Sequence, residues 1–217
     1  KALRDYYHTW YRPDQQGIIV VGDIDVKRIE NKIIEMFSSI EMPANAPERI
    51  YYPVEDNKGT IYAIGKDKEQ SNAIIEIMFK QDAMPDSLKG SMEYMIYNYA
   101  TSMITSMLDS RLNDMMSKPD APFAMASSSY GEFFVAKTKD AFTVSGIAKG
   151  NDIKPVLEAI YREVLRAQRG GFTATEYERA RSEYLSRLET AYKNRNQQES
   201  TRFAREYVSH FVDNEPI

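Results

Sequence analysis

The chain has 217 residues and a formal charge of −4, with 42% hydrophobic and 28% charged residues. That composition suits one large or two small globular domains and excludes a disordered chain. The dispersed charge gives no basic nucleic-acid footprint, no apolar run nears the roughly 20 residues of a membrane span, and zero cysteines exclude disulfides, thiolate metal sites and cysteine nucleophiles.

Leu3, Tyr6, Tyr7 and Trp10 recur at helical spacing, and Pro13-Asp14 ends that element. Ile18-Ile19-Val20-Val21 predicts a buried strand, turned by Gly22-Asp23. Asp25 then suits the N-cap of a helix whose apolar face is Val26, Ile29, Ile33, Ile34 and Phe37. Residues 41–59 hold Pro43, Pro47 and Pro53 and keep neither period, which makes them a connection and the best domain boundary.

Beyond it, Thr60–Ile64 predicts a strand. Ile75, Ile77 and Phe79 alternate with Glu76, Met78 and Lys80, predicting another. Pro85-Asp86-Ser87 opens a long helix to about Met116, with Leu88, Met92, Met95, Ile96, Tyr99, Met103, Leu108 and Leu112 as its buried stripe. Two antiparallel strands follow, Phe123–Val135 and Ala141–Ala148, with turns placed near Tyr130-Gly131 and Lys139-Asp140. Asn151 or Asp152 caps the next helix, striped by Ile153, Val156, Leu157, Ile160, Tyr161, Val164 and Leu165. Gly170-Gly171 stops it, and Thr173 with Glu176 forms a capping box for the following helix. After a polar break at Asn194–Glu199, helical spacing resumes at Phe203, Tyr207, Val208 and Phe211. Hairpins with long helices, rather than strict strand–helix alternation, predict an α+β fold: an antiparallel sheet with helices mainly on one face.

Few residues offer chemistry. A zinc-protease motif needs two histidines and a glutamate on one helix, whereas His8 and His210 have neither a Glu nor a second His at that spacing. Ser127-Ser128-Ser129 lacks a nucleophile elbow and reads as polar strand positions. Asp23 and Asp25 are explained by turn and cap duty, and the Arg/Glu-rich last helices by ion pairing on a solvated face. No phosphate-binding glycine loop is present.

Tyr6-Tyr7 through Tyr11-Arg12-Pro13, followed by Ile18–Val21, Gly22-Asp23-Ile24-Asp25 and a helix ending near Phe37, resemble a segment of the insulinase/pitrilysin/processing-peptidase (M16) family of zinc metallopeptidases. Ser110-Arg111-Leu112 resembles the family's small-Arg-Leu segment, and Gly171-Phe172-Thr173 with Glu176 its helix start. The resemblance picks out Tyr11, Pro13, Gly22, Asp23, Arg111, Leu112, Thr173 and Glu176 as structural positions, and no catalytic or metal-binding residue. It implies a processing-peptidase-like fold and a non-catalytic domain that follows a catalytic one. Residues 1–45 then correspond to the closing strand-helix unit of the preceding catalytic domain, 46–57 to a linker, and 58–217 to most of the non-catalytic domain.

Further expectations follow from that resemblance. The domain would wall part of a peptide chamber, its partners being the catalytic domain of the same polypeptide and a peptide substrate. Zinc, with a water and a Glu base, would belong to that catalytic domain, with no cofactor here and no activity in this domain. In some members an Arg and a Tyr of such domains touch substrate; the matching positions here hold Ser117 and Phe123 or Ala124. The alternative is a domain of a metal-free assembly subunit with the same fold, and a third reading is a module that binds peptide by strand addition. The start at Lys1 and the end at Asn214–Ile217 suggest a piece of a longer protein, and bacterial relatives favour an exported setting. Strand 18–21 and the helix after it are expected to dock on the sheet in place of a missing strand-helix unit.

Overall fold

The computed structural model describes residues 1–217. Two compact units divide them: Lys1–Ile50 with Lys193–Ile217, and Tyr51–Tyr192.

The first unit holds helices α1 (Ala2–Trp10), α2 (Val26–Phe37) and α6 (Ser200–Asp213). Asp25 caps α2 by accepting from the Arg28 N–H at 3.0 Å. Within the unit, the Phe211 ring of α6 lies against Gly17, leaving 3.1 Å for a side-chain carbon there. Arg12 is its one buried side chain. It donates from Nε and Nη2 to Asp14, both at 3.1 Å, and from Nη1 to the Pro47 carbonyl at 3.0 Å. Ile18–Val21 is not a strand. The sheet draws all its strands from residues 74–148, so the expected docking of 18–21 as a strand is not found. Its β-branched run fits a pleated surface, but strand propensity without a hydrogen-bonding neighbour does not make a strand.

The second unit is a three-stranded antiparallel sheet with helices packed on it. Its strands are β1 (Ile74–Asp82), β2 (Phe123–Phe133) and β3 (Ala136–Ala148), in the order β1-β3-β2. Helices α3 (Met92–Met116), α4 (Lys154–Gly170) and α5 (Ala174–Lys193) complete it. The α+β expectation is met. Thr60–Ile64, however, is not a strand and is exposed. The β2–β3 turn is also displaced from both expected sites. Phe133 faces Ala136, so Phe134-Val135 make the turn with Phe134 at φ 54°, while Gly131 pairs with Ala141 inside the ladder. A glycine accepted by a paired strand looks in sequence like a turn.

The main core joins Leu108 and Leu112 of α3, Phe123 and Ala126 of β2, Val144 and Ala148 of β3, and Val156, Ala159 and Ile160 of α4. Gly146 lets α4 approach, since a Cβ there would stand 2.6 Å from Val156 Cγ1. A second cluster, Met103 and Met107 with Ala180, binds α3 to α5. The α3 stripe is buried only in its C-terminal part: Met92, Met95 and Ile96, expected in the core, are 67%, 62% and 60% exposed. Its start also differs. A 3₁₀ turn over Asp86–Leu88 precedes the helix, whose N-cap is Ser91, accepting from the Tyr94 N–H at 3.1 Å. The α4 stripe splits similarly, Val156 and Ile160 buried but Leu157 and Tyr161 exposed. The N-cap of α4 is Ile153 rather than the expected Asn151 or Asp152, although Asp152 accepts from the Lys154 N–H at 3.1 Å just before the helix.

Candidate functional site

Three of the positions singled out in the sequence meet where α3, α4 and α5 converge. Gly171 closes α4 with φ +65°, a conformation that favours glycine. Two residues later the capping box forms. The Thr173 N–H donates to Glu176 Oε2 at 2.7 Å, and the Glu176 N–H donates to Thr173 Oγ1 at 3.2 Å. This pins the Glu176 carboxylate at the start of α5, facing α3.

Arg111 fills the space opposite. Nε donates to Glu176 Oε1 at 2.5 Å and Nη2 to Oε2 at 2.9 Å, a fork-on-fork pair, while Nη2 also donates to the Gly171 carbonyl at 3.0 Å. The guanidinium carbon lies 4.5 Å from the Phe172 ring centre. The Arg111 side chain is 9% exposed and that of Glu176 18%. Hydrogen bonds from Arg111, then the Thr173 N–H, hold the Glu176 carboxyl down at about 2, and the bond to Glu176 raises the Arg111 guanidinium above its ordinary value. Leu112, the next residue, is fully buried in the core. The clasp thus joins three helices through one side chain, with every carboxylate oxygen of Glu176 used. Its chemistry is positional: an always-charged cation and a strongly acidic carboxyl cannot exchange protons near neutral pH.

The other expected positions lie elsewhere. Tyr11 is exposed and stacks on Tyr7 at 4.8 Å, Pro13 opens a 3₁₀ turn, and Gly22-Asp23 forms a bend before α2, all in the first unit. Ser117 is the C-cap of α3 and donates to the Asn113 carbonyl; Phe123 is fully buried.

Other polar groupings escaped sequence reasoning. Ser128 donates from Oγ to Asp109 at 2.8 Å and from its N–H at 2.6 Å, tying β2 to α3. Lys139 bridges Asp56 at 2.7 Å and Asp82 at 2.6 Å, and those bonds raise its ammonium above the ordinary value. Tyr97 donates to Tyr130 at 2.6 Å and Tyr130 to Asp140 at 2.8 Å. Gln81 donates to Tyr130 at 2.7 Å. Burial first, then the bond from Tyr97, pushes the Tyr130 hydroxyl upward. These partners lie 10 to 83 residues apart, so no local spacing announces them.

Zinc coordination does not fit this donor set. No group of three or more His, Asp or Glu side chains is arranged to hold a metal ion, and His210 uses Nδ1 on the Glu215 carbonyl at 2.7 Å. No hydrolytic step is assigned to these residues.

Comparison with known proteins decides the family. The model of the Peptidase M16 inactive domain matches residues 1–184. The chain belongs to the M16 peptidase family, as its inactive domain. It is 25% identical over 218 residues to a protein described as zinc protease PQQL-like from Arabidopsis thaliana, covering 100% of this chain and 19% of that protein. It is 22% identical over 216 residues to the probable zinc protease PqqL of Escherichia coli K12, covering 99% of this chain and 23% of that protein. The chain therefore spans about a fifth of the length of the curated relatives it matches. The fold matches the crystal structure of the first half of the periplasmic protease PqqL from Escherichia coli at a TM-score of 0.77. That match, at 22% identity, covers 99% of this M16 domain and 45% of the solved chain. A predicted insulinase family protease from Yersinia pestis matches at a TM-score of 0.76 and 13% identity, covering 100% and 45%. The M16 domain here is thus of the non-catalytic kind, its homologues are zinc proteases, and no helix in it is long and apolar enough to cross a membrane.

Proposed function

We propose that this chain is the non-catalytic domain of an M16-type zinc metallopeptidase, forming part of a peptide chamber and packing on the catalytic domain of the same polypeptide. The observation that carries the packing is the exposed N-terminal half of α3. Met92, Met95 and Ile96 form an apolar face with no partner in the chain's own core, while the same helix is fully used further on. A large exposed apolar face on a well-packed domain marks a protein interface. The Arg111–Glu176 clasp serves that role by fixing α3 against α5. Residues 1–45 act in this reading as the closing unit of the catalytic domain, and 46–57 as the linker. Tyr11, Pro13, Gly22 and Asp23 shape that unit, as Arg111, Leu112, Thr173 and Glu176 shape the non-catalytic domain. Zinc would reside in the catalytic domain.

The test compares this chain with its full-length parent, measuring bound zinc and cleavage of a casein substrate. Zinc and activity in the parent, with neither in this chain, are expected. Met95→Glu with Ile96→Glu in the parent should lower activity while this chain carrying the same changes stays folded. Stoichiometric zinc in this chain alone would refute the assignment and bring back His8 and His210. A metal-free, inactive parent would favour the assembly-subunit alternative.

A further inference from the structure

Burying a charged side chain is costly unless partners hold it, and three cations of this chain are buried: Arg12, Arg111 and Lys139. Arg111 closes the clasp between α3 and α5. The other two hold the connection between the two units, one at each end.

Lys139 of β3 stands directly opposite Asp82 of β1 and bonds its carboxylate at 2.6 Å. The same ammonium reaches Asp56 of the connection at 2.7 Å. Neighbouring bonds share the hold. The Val54 N–H donates to Thr138 Oγ1 at 3.2 Å, and the Glu55 carbonyl accepts from Lys80 Nζ at 2.5 Å. Three consecutive residues of an irregular stretch are thus fastened to one end of the β1–β3 ladder. Lys139 is the buried member, its side chain 7% exposed against 77% for Asp56 and 87% for Asp82.

Arg12 does the corresponding work in the first unit. Asp14 orients its guanidinium through two bonds, and Nη1 donates to the Pro47 carbonyl at 3.0 Å. Each hold lies wholly within one unit. Between them stand residues 48–53, which let Val54 lie at most about 25 Å from Pro47. Pro47 and Pro53 fix φ at the two ends of that span.

We propose that Arg12 and Lys139 are paired clamps that turn the connection into a short leash. Residues 54–56 move with the sheet, Pro47 moves with the first unit, and any turning of one unit against the other is confined to residues 48–53. The proposal stands on hydrogen bonds inside each unit and not on the chamber reading, so the two can fail separately.

Backbone amide relaxation of the full chain, followed by NMR, tests it. Order parameters at residues 54–56 are expected at about 0.85, as in β3. Lys139→Met should lower them below about 0.6 while β3 keeps its own. That variant should fold, because both carboxylates it releases are exposed. Asp56→Asn loosens the hold from the connection side, leaves the Lys139–Asp82 pair in place, and should lower the same residues by less. It decides the matter if Lys139→Met disturbs β3. Arg12→Met should loosen Ala46 and Glu48 and leave 54–56 unchanged. Order parameters below about 0.6 at 54–56 in the wild type would overturn the proposal. So would unchanged order there in Asp56→Asn and Lys139→Met alike, or its loss in Arg12→Met.

Discussion

The two halves of α3 carry the same kind of apolar stripe and meet opposite fates. Met103, Met107, Leu108 and Leu112 are buried between the sheet, α4 and α5, whereas Met92, Met95 and Ile96 face solvent. Helical periodicity fixes which side chains share a face, but not whether anything covers that face. Covering depends on neighbours. The C-terminal half has β2, α4 and α5; the N-terminal half has tyrosine contacts from Tyr97 to Tyr130 and from Tyr99 to Tyr184. The clasp at Arg111 lies within the buried half, beyond the change from one regime to the other.

The sharpest test of this contrast is truncation on each side. Leu112→Ala should cost about 4 kcal/mol in denaturant unfolding, because its site is fully closed and leaves a cavity. A cost below about 1 kcal/mol there would mean that the buried half is no better packed than the exposed one.

The clasp comes next. Arg111→Met should destabilise by about 3 kcal/mol, since it strands a carboxylate at the helix junction. Adding Glu176→Gln should recover part of that loss, and an additive double variant would deny the coupling. The same pair sets an acid limit. The Glu176 carboxyl is lower in the folded chain than in the unfolded one, so its contribution is complete above the unfolded value of 4.5 and is lost as pH falls through about 2. Acid titration of the wild type should therefore show a destabilising limb in that window that Glu176→Gln lacks.

Smaller effects complete the series. Thr173→Ala removes one half of the capping box and should cost about 1 kcal/mol by thermal or denaturant melting. Met95→Ser should fall within about 0.5 kcal/mol of wild type in this chain. A large loss at Met95 would show that its face is covered after all and would remove the main support for an interface there.

Local motifs were readable from sequence because their physics is local. The Thr173–Glu176 box, the Asp25 cap and the Gly171 stop each act within four residues. The Ile18–Val21 and Thr60–Ile64 assignments failed for the converse reason: a strand is completed by a neighbour, and composition does not name one. The hairpin turn was misplaced because Gly131 serves the ladder while Phe134 takes the left-handed position. Of the clasp, the sequence marked Arg111, Thr173 and Glu176 separately, and nothing in their spacing joined the first to the others across 65 residues.

By itself the sequence determined the helices, the caps at Asp25 and at Thr173–Glu176, the apolar faces, the α+β class and the family resemblance, all of which rest on periodicity and short-range hydrogen bonding. Tertiary structure alone decided which apolar faces are buried, which extended segments become strands, and that Arg111 closes on Glu176. Those outcomes depend on burial and on partners distant in the chain, where the energy of an ion pair or an apolar side chain is set by what surrounds it.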